Sequence, residues 1–284
     1  MTPVLPFTRT VFIVGVCLTA GTGLGLWLVP DRTADYWAWT IKAPLTAAFF
    51  GAGYAGAAVS LALAARTREW PRTRVVAVAA FVLTSLALLA TLRNPGPFAF
   101  GDGGLAEVVA WIWLAVYVAL PPALLAAFVL QERVRGPRGW SGDRPALGLT
   151  RVVVGCAGAG LGVVGVGLLA DWSRLVTRWP WPLPPLPAAV LGAWLCTYAA
   201  AFLWFALVER SWVRVRIGVG PAMISLALDL LAAVRLRHGF GGGTGTAAYL
   251  AGLAALLALL GGVALAEERR LRAPDGTATR RAGA

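Results

Sequence analysis

Eight apolar blocks, each close to the length of a bilayer crossing, constrain this chain more than any other feature. The hydrocarbon core of a membrane takes about 20 residues of helix to span. Within it only helices and closed barrels can pair every backbone N–H and C=O. The blocks read as helices near residues 10–29, 43–65, 74–92, 105–130, 151–170, 186–208, 213–234 and 246–266. Turn-forming residues separate them, including Asn94-Pro95-Gly96-Pro97, Gly136-Pro137 and Gly241-Gly242-Gly243. The longest stretch between blocks, about residues 131–150, is too short to hold a soluble domain core. Soluble catalytic and nucleotide-binding domains are thereby excluded. The first block has no convincing small-x-small cleavage site and reads as a span, not a signal peptide.

Charge follows the same logic. Charged residues are 13% of the 284, against about 25% in soluble domains. A net charge of +12 would point to nucleic acid in a soluble chain. In a membrane protein it reflects arginines on cytoplasmic loops, so no nucleic-acid partner is expected. With the N-terminus cytoplasmic, that side holds 18 of the 25 basic residues and the other side 7. The bias predicts a multi-pass protein of a bacterial cell (plasma) membrane with both termini in the cytoplasm. Cys17, Cys156 and Cys196 lie inside apolar blocks and read as packing residues. With His238 as the single histidine, no metal or haem site and no cofactor are expected.

The chain also matches itself. Residues 8–93 set against residues 150–235 without a gap share 24 identities in 86 positions. They include Trp37 and Trp39 on Trp179 and Trp181, and Arg68, Trp70, Arg72 and Arg74 on Arg210, Trp212, Arg214 and Arg216. With a small gap, Glu132-Arg133 falls on Glu268-Arg269. The predicted fold class is an all-α polytopic membrane helix bundle: eight transmembrane helices as two tandem parallel four-helix repeats. The repeats are residues 8–135 and 150–272, with a cytoplasmic linker at 136–149 and a disordered C-terminal tail at 273–284. Each repeat has an even number of spans, so the pseudo-twofold axis runs along the membrane normal. Such an axis makes the cleft between halves a natural ligand site. The plainer alternative is duplication that only builds a stable bundle.

Asp229 is the strongest candidate for chemistry. It lies six residues before Arg235, about 9 Å below that end of the seventh span. A carboxylate at that depth is costly unless paired, protonated or wetted. Ala87 occupies the matching position in the first half. Pro221, Ser225 and Asp229 are spaced i, i+4, i+8, a small polar stripe facing other helices. Asp229 therefore reads as a proton carrier, general acid or counter-ion, or as a structural partner of Arg93 or Arg235. Glu107 and Trp111 open the fourth span, where an acid also suits the helix dipole. Pro121-Pro122 near mid-span frees the carbonyls of Tyr117 and Val118, a kink or a break. Trp39 and Trp181, with the other outer-side tryptophans, read as interfacial anchors or as walls of a cleft for an isoprenoid, acyl chain or cation.

The run Trp179-Pro-Trp-Pro-Leu followed by Gly192-Ala-Trp194 resembles a pattern in uncharacterised multi-pass membrane proteins of high-GC actinobacteria. The resemblance covers mainly the fifth and sixth spans and implies a membrane location, with no activity attached. The leading expectation is a protein that binds or transports a small or lipophilic molecule in the cleft between repeats, with membrane lipids as partners. One alternative is an integral-membrane enzyme acting on a lipid or isoprenoid with Asp229 or Glu107 as general acid. Another is a non-catalytic accessory subunit.

Overall fold

The computed structural model describes residues 2–134 and 144–272. The predicted tail, and most of the predicted linker, lie outside them. Eight long helices carry the architecture: α1 (Pro6–Leu28), α3 (Pro44–Arg66), α4 (Trp70–Arg93), α5 (Gly104–Arg133), α6 (Gly148–Leu169), α8 (Pro185–Leu203), α9 (Trp212–Arg235) and α10 (Gly243–Arg272). Short helices α2 (Thr33–Tyr36) and α7 (Ser173–Val176) sit in the α1–α3 and α6–α8 connections. All eight long helices are long and apolar enough to cross a membrane, α8 together with the π-helical turn Trp204–Glu209 that continues it. The chain is an all-α polytopic bundle.

Local sequence sets the helix starts. Proline stands in the first turn of α1, α3, α4 and α8, where its missing N–H has no intrahelical partner to lose. Pro121-Pro122 does not break the fourth span. Helix α5 runs through both prolines from Gly104 to Arg133, because packed neighbours hold a transmembrane helix whose local hydrogen bonds are lost.

Burial ranks the helices. The apolar windows of α3 and of α8 with its π-turn are each 61% buried, whereas that of α10 is 6% buried and faces outward. The two buried helices form the centre, with α1 packed along α3 and α6 along α8. Helix α3 then packs on α9, and α4 on α8, while α3 and α4 scarcely touch although they are consecutive. The two halves of the chain are interleaved rather than set side by side.

Glycine makes the closest of these contacts. A Cβ on Gly51 would lie 2.5 Å from the Trp27 nitrogen of α1, and one on Gly192 would lie 2.6 Å from the Gly165 oxygen of α6. Gly51→Ala and Gly192→Ala are each expected to destabilise by about 1–3 kcal/mol through overpacking. Gly21→Ala meets no atom within 4 Å and serves as the control. Thermal unfolding in detergent reads the difference. Equal midpoints for all three variants would contradict the close approach.

Contacts recur at a fixed spacing along the chain. The Val4 N–H donates to the Arg68 carbonyl at 3.0 Å, and the Ala146 N–H to the Arg210 carbonyl at 2.9 Å. Ala99 donates to Ala38 at 3.0 Å, and Gly241 to Pro180 at 2.7 Å. Each pair lies 142 positions from its counterpart. Through α3 and α8 the spacing is one residue shorter, since Gly51 meets Trp27 as Gly192 meets Leu169. At that register 44–66 and 185–207 share eight identities instead of five. The π-turn restores the residue before α9 begins, with the Arg210 N–H bonded to Phe205 five positions back at 3.0 Å.

Candidate functional site

Where α1, α3, α4, α5, α8 and α9 converge, the bundle forms a partly open cavity of about 240 Å³. Its lining runs along α9 from Trp212 to Ser225, about 20 Å at 1.5 Å per residue. A space of that length and volume suits one extended chain better than a bulky ring system. Ala80 of α4 and Ala222 of α9 face it from the two halves. Three of the four threonines in its wall are turned back on their own helices: Thr19 donates to the Gly15 carbonyl at 2.7 Å, and Thr84 to the Ala80 carbonyl and Thr197 to the Ala193 carbonyl, both at 2.8 Å. The middle of the wall is therefore effectively apolar.

Polar groups gather toward the end of the cavity nearest Ser225. Tyr54 and Tyr117 join through their hydroxyls at 2.5 Å. Trp194 stands edge-on to Tyr54 at 5.0 Å, and Trp37 edge-on to Trp113 at 5.6 Å. Both Trp37 and Trp194 line the cavity, and the buried indole N–H of each lacks a hydrogen-bond partner among the described residues. The indole N–H groups of Trp39, Trp179 and Trp204 are unpaired in the same way among the described residues, and an unpaired buried N–H is costly.

Asp229 lies one helical turn beyond Ser225, just past the cavity wall. Pro221, Ser225 and Asp229 are all buried, as their spacing predicts. The Ser225 hydroxyl donates to the Pro221 carbonyl at 3.3 Å. It also touches α3 so closely that a Cβ on Gly56 would lie 2.0 Å from its oxygen. Asp229 is 5% exposed, and its Oδ1 has no hydrogen-bond partner among the described residues. Tyr198, which lines the cavity, and Tyr249 lie within its electrostatic reach.

The two candidate arginines are engaged elsewhere. Arg93 donates to the Leu169 carbonyl at the end of α6 at 3.3 Å. Arg235 donates to the Trp27 carbonyl near the end of α1 and lies 4.4 Å over the Trp27 ring. Each caps the last turn of a helix from the other half, where a cation meets unpaired carbonyls and the negative end of the dipole. Glu107 accepts the Gly103 N–H at 2.9 Å and fixes the start of α5. Trp111 is half exposed and packs on Phe100. Trp39 and Trp181 are buried, 1% and 3% exposed, so they are core residues and not interfacial anchors. The Trp181 N–H donates to Thr46 at 2.7 Å. The structure thus brings Ser225 and Asp229 to one end of the cavity and leaves Glu107, Trp111, Arg93 and Arg235 away from it. Among the described residues, no three His, Cys, Asp or Glu side chains gather as metal ligands would.

Sequence reasoning passed over Glu209, the last residue of the π-turn. Its side chain is 2% exposed and held between Arg74 at 3.1 Å and Arg214 at 2.8 Å. Arg74 comes from the first half and also forks onto Glu132 at 2.8 and 3.1 Å. The signal was present in the sequence as an acid among clustered arginines, but a helix end is where such an acid would ordinarily be solvated. No protein-family model, no curated protein and no solved structure matches the chain, so the site stands on its own residues.

Proposed function

We propose that the chain is a tandem duplicate of a four-helix unit that binds, and moves within or across the membrane, a lipophilic molecule carrying one extended chain and an oxygen-bearing head. The cavity between interleaved halves is the observation that carries this reading. Its apolar length fits an acyl or prenyl chain. A small turn of the Trp37 and Trp194 rings would bring their unpaired indole N–H groups onto a hydroxyl or carbonyl at one end. Asp229, within electrostatic reach of Tyr198, is the residue for proton exchange or for sensing the head group. The recurrence of backbone bonds 142 residues apart supports the duplication. The excess of arginines on one side supports a cytoplasmic location for both termini in a bacterial cell membrane.

Filling the cavity tests the reading. Ala80→Leu and Ala222→Leu each add three carbons to its wall. Protein purified in mild detergent is expected to retain a lipophilic compound detectable by mass spectrometry, and both variants are expected to lose most of it while unfolding near the wild-type temperature. Retention of nothing beyond the bulk membrane lipids, or undiminished retention in both variants, would defeat the proposal.

A further inference from the structure

A second site, apart from the cavity, follows from the proposed duplication. At the end of the bundle where α3 finishes and α9 begins, an open groove of about 550 Å³ runs between α3, α9 and α10. Its rim carries three cations, Arg66, Arg72 and Arg216, with Thr67 and one acid, Glu268, and its wall is apolar, with Leu63, Met223 and Ala264. Arg66 is exposed, and Arg216 is 43% exposed with one bond to Glu268 at 3.2 Å. Arg72 is paired with Glu69 at 2.9 Å.

The other half shows what such a place holds. Positions 142 residues on from Thr67 and Arg72, and 142 before Arg216, are Glu209, Arg214 and Arg74. There the Glu209 carboxylate lies between the two arginines, buried. Each half also keeps the same outer pairing, Arg74 with Glu132 and Arg216 with Glu268. Each tryptophan that opens the following helix donates to that same glutamate, Trp70 to Glu132 at 2.6 Å and Trp212 to Glu268 at 3.0 Å. The difference is the anion. One half supplies its own carboxylate from the π-turn. The other puts Thr67 there and leaves an open groove with an added cation, Arg66, whose counterpart 142 positions on is Val208.

We propose that this groove binds the phosphate of an anionic phospholipid, with its acyl chains along the Leu63, Met223 and Ala264 wall. The phosphate would take the place that Glu209 takes in the other half, bonded by Arg216 as Glu209 is by Arg74, and by Arg66 in place of Arg72, which Glu69 holds. The Thr67 hydroxyl already donates to the Leu63 carbonyl at 2.8 Å and leaves the place without a charge of its own. Guanidinium groups bind phosphate oxygens through paired N–H bonds, and basic pockets between transmembrane helices are suited to anionic head groups. The source is a lipid rather than free phosphate because the groove continues from its charged rim into an apolar wall at membrane depth.

Thermal unfolding of the full chain in detergent, with lipid added, tests the site. Phosphatidylglycerol is expected to raise the midpoint, while phosphatidylcholine of the same chain length and inorganic phosphate are not. Thr67→Glu supplies a carboxylate as Glu209 does, and is expected to abolish the rise while leaving the lipid-free midpoint near wild type. Arg66→Ala, at an exposed residue, is expected to weaken apparent affinity about fivefold, the worth of one surface arginine. A rise that survives in both variants would overturn the site. So would an equal rise with phosphatidylcholine. A rise with inorganic phosphate alone would overturn the lipid assignment.

Discussion

Arg74→Met is expected to lower the unfolding free energy by about 3 kcal/mol, and the corresponding Arg216→Met by less than about 1 kcal/mol. The substitutions are alike in chemistry and lie 142 residues apart, so the contrast isolates environment. Arg74 holds Glu209, whose side chain is 2% exposed. Without it a buried carboxylate keeps Arg214 on one side and loses its partner from the other half. Arg216 holds Glu268, which is 34% exposed and can turn to water. Unfolding in detergent free of anionic lipid measures both. Equal costs would show that the buried cluster does not tie the halves together.

Asp229→Ala is expected to act in the opposite sense, raising stability by about 1–2 kcal/mol while impairing cargo handling. The substitution gives α9 what α4 already has at Ala87, a buried residue in the matching place. The carboxyl it removes has a buried oxygen without a hydrogen bond among the described residues. A polar group left so costs about 1–3 kcal/mol, less a small term for the space vacated. A chain that retains such a group against stability retains it for use. Loss of stability in Asp229→Ala would mark the residue as a structural partner and remove it from the proposed mechanism.

The sequence exposed some of this and hid the rest for physical reasons. The spans were legible because twenty apolar residues in a row have few other fates. The burial of Ser225 and Asp229 was legible because i, i+4, i+8 places residues on one helix face whatever the partner. The partner itself was not legible. Pairing Asp229 with Arg93 or Arg235 assumed that depth alone decides contacts, yet both arginines reach carbonyls at the ends of α6 and α1. Those contacts follow from the exchange of α3 and α4 between halves, which no local pattern records. Trp39 and Trp181 misled in the same way. A tryptophan near a span end looks like an anchor until a connection folds it inward. An ungapped comparison likewise hid the one-residue offset in α8, because the π-turn closes the register again before Trp212.

The interleaving of helices bears on how the protein is made. Helix α3 leaves the ribosome long before α9, the helix against which it packs, and α4 long before α8. For that interval two spans stand in lipid with faces shaped for helices not yet synthesised, glycine-rich in the case of α3. The N-terminal half is therefore an incomplete body during translation, and its last packing step waits on the C-terminal half. Biogenesis has to shelter α3 and α4 until then, which makes insertion, more than folding of either half, the stage at which this architecture is vulnerable.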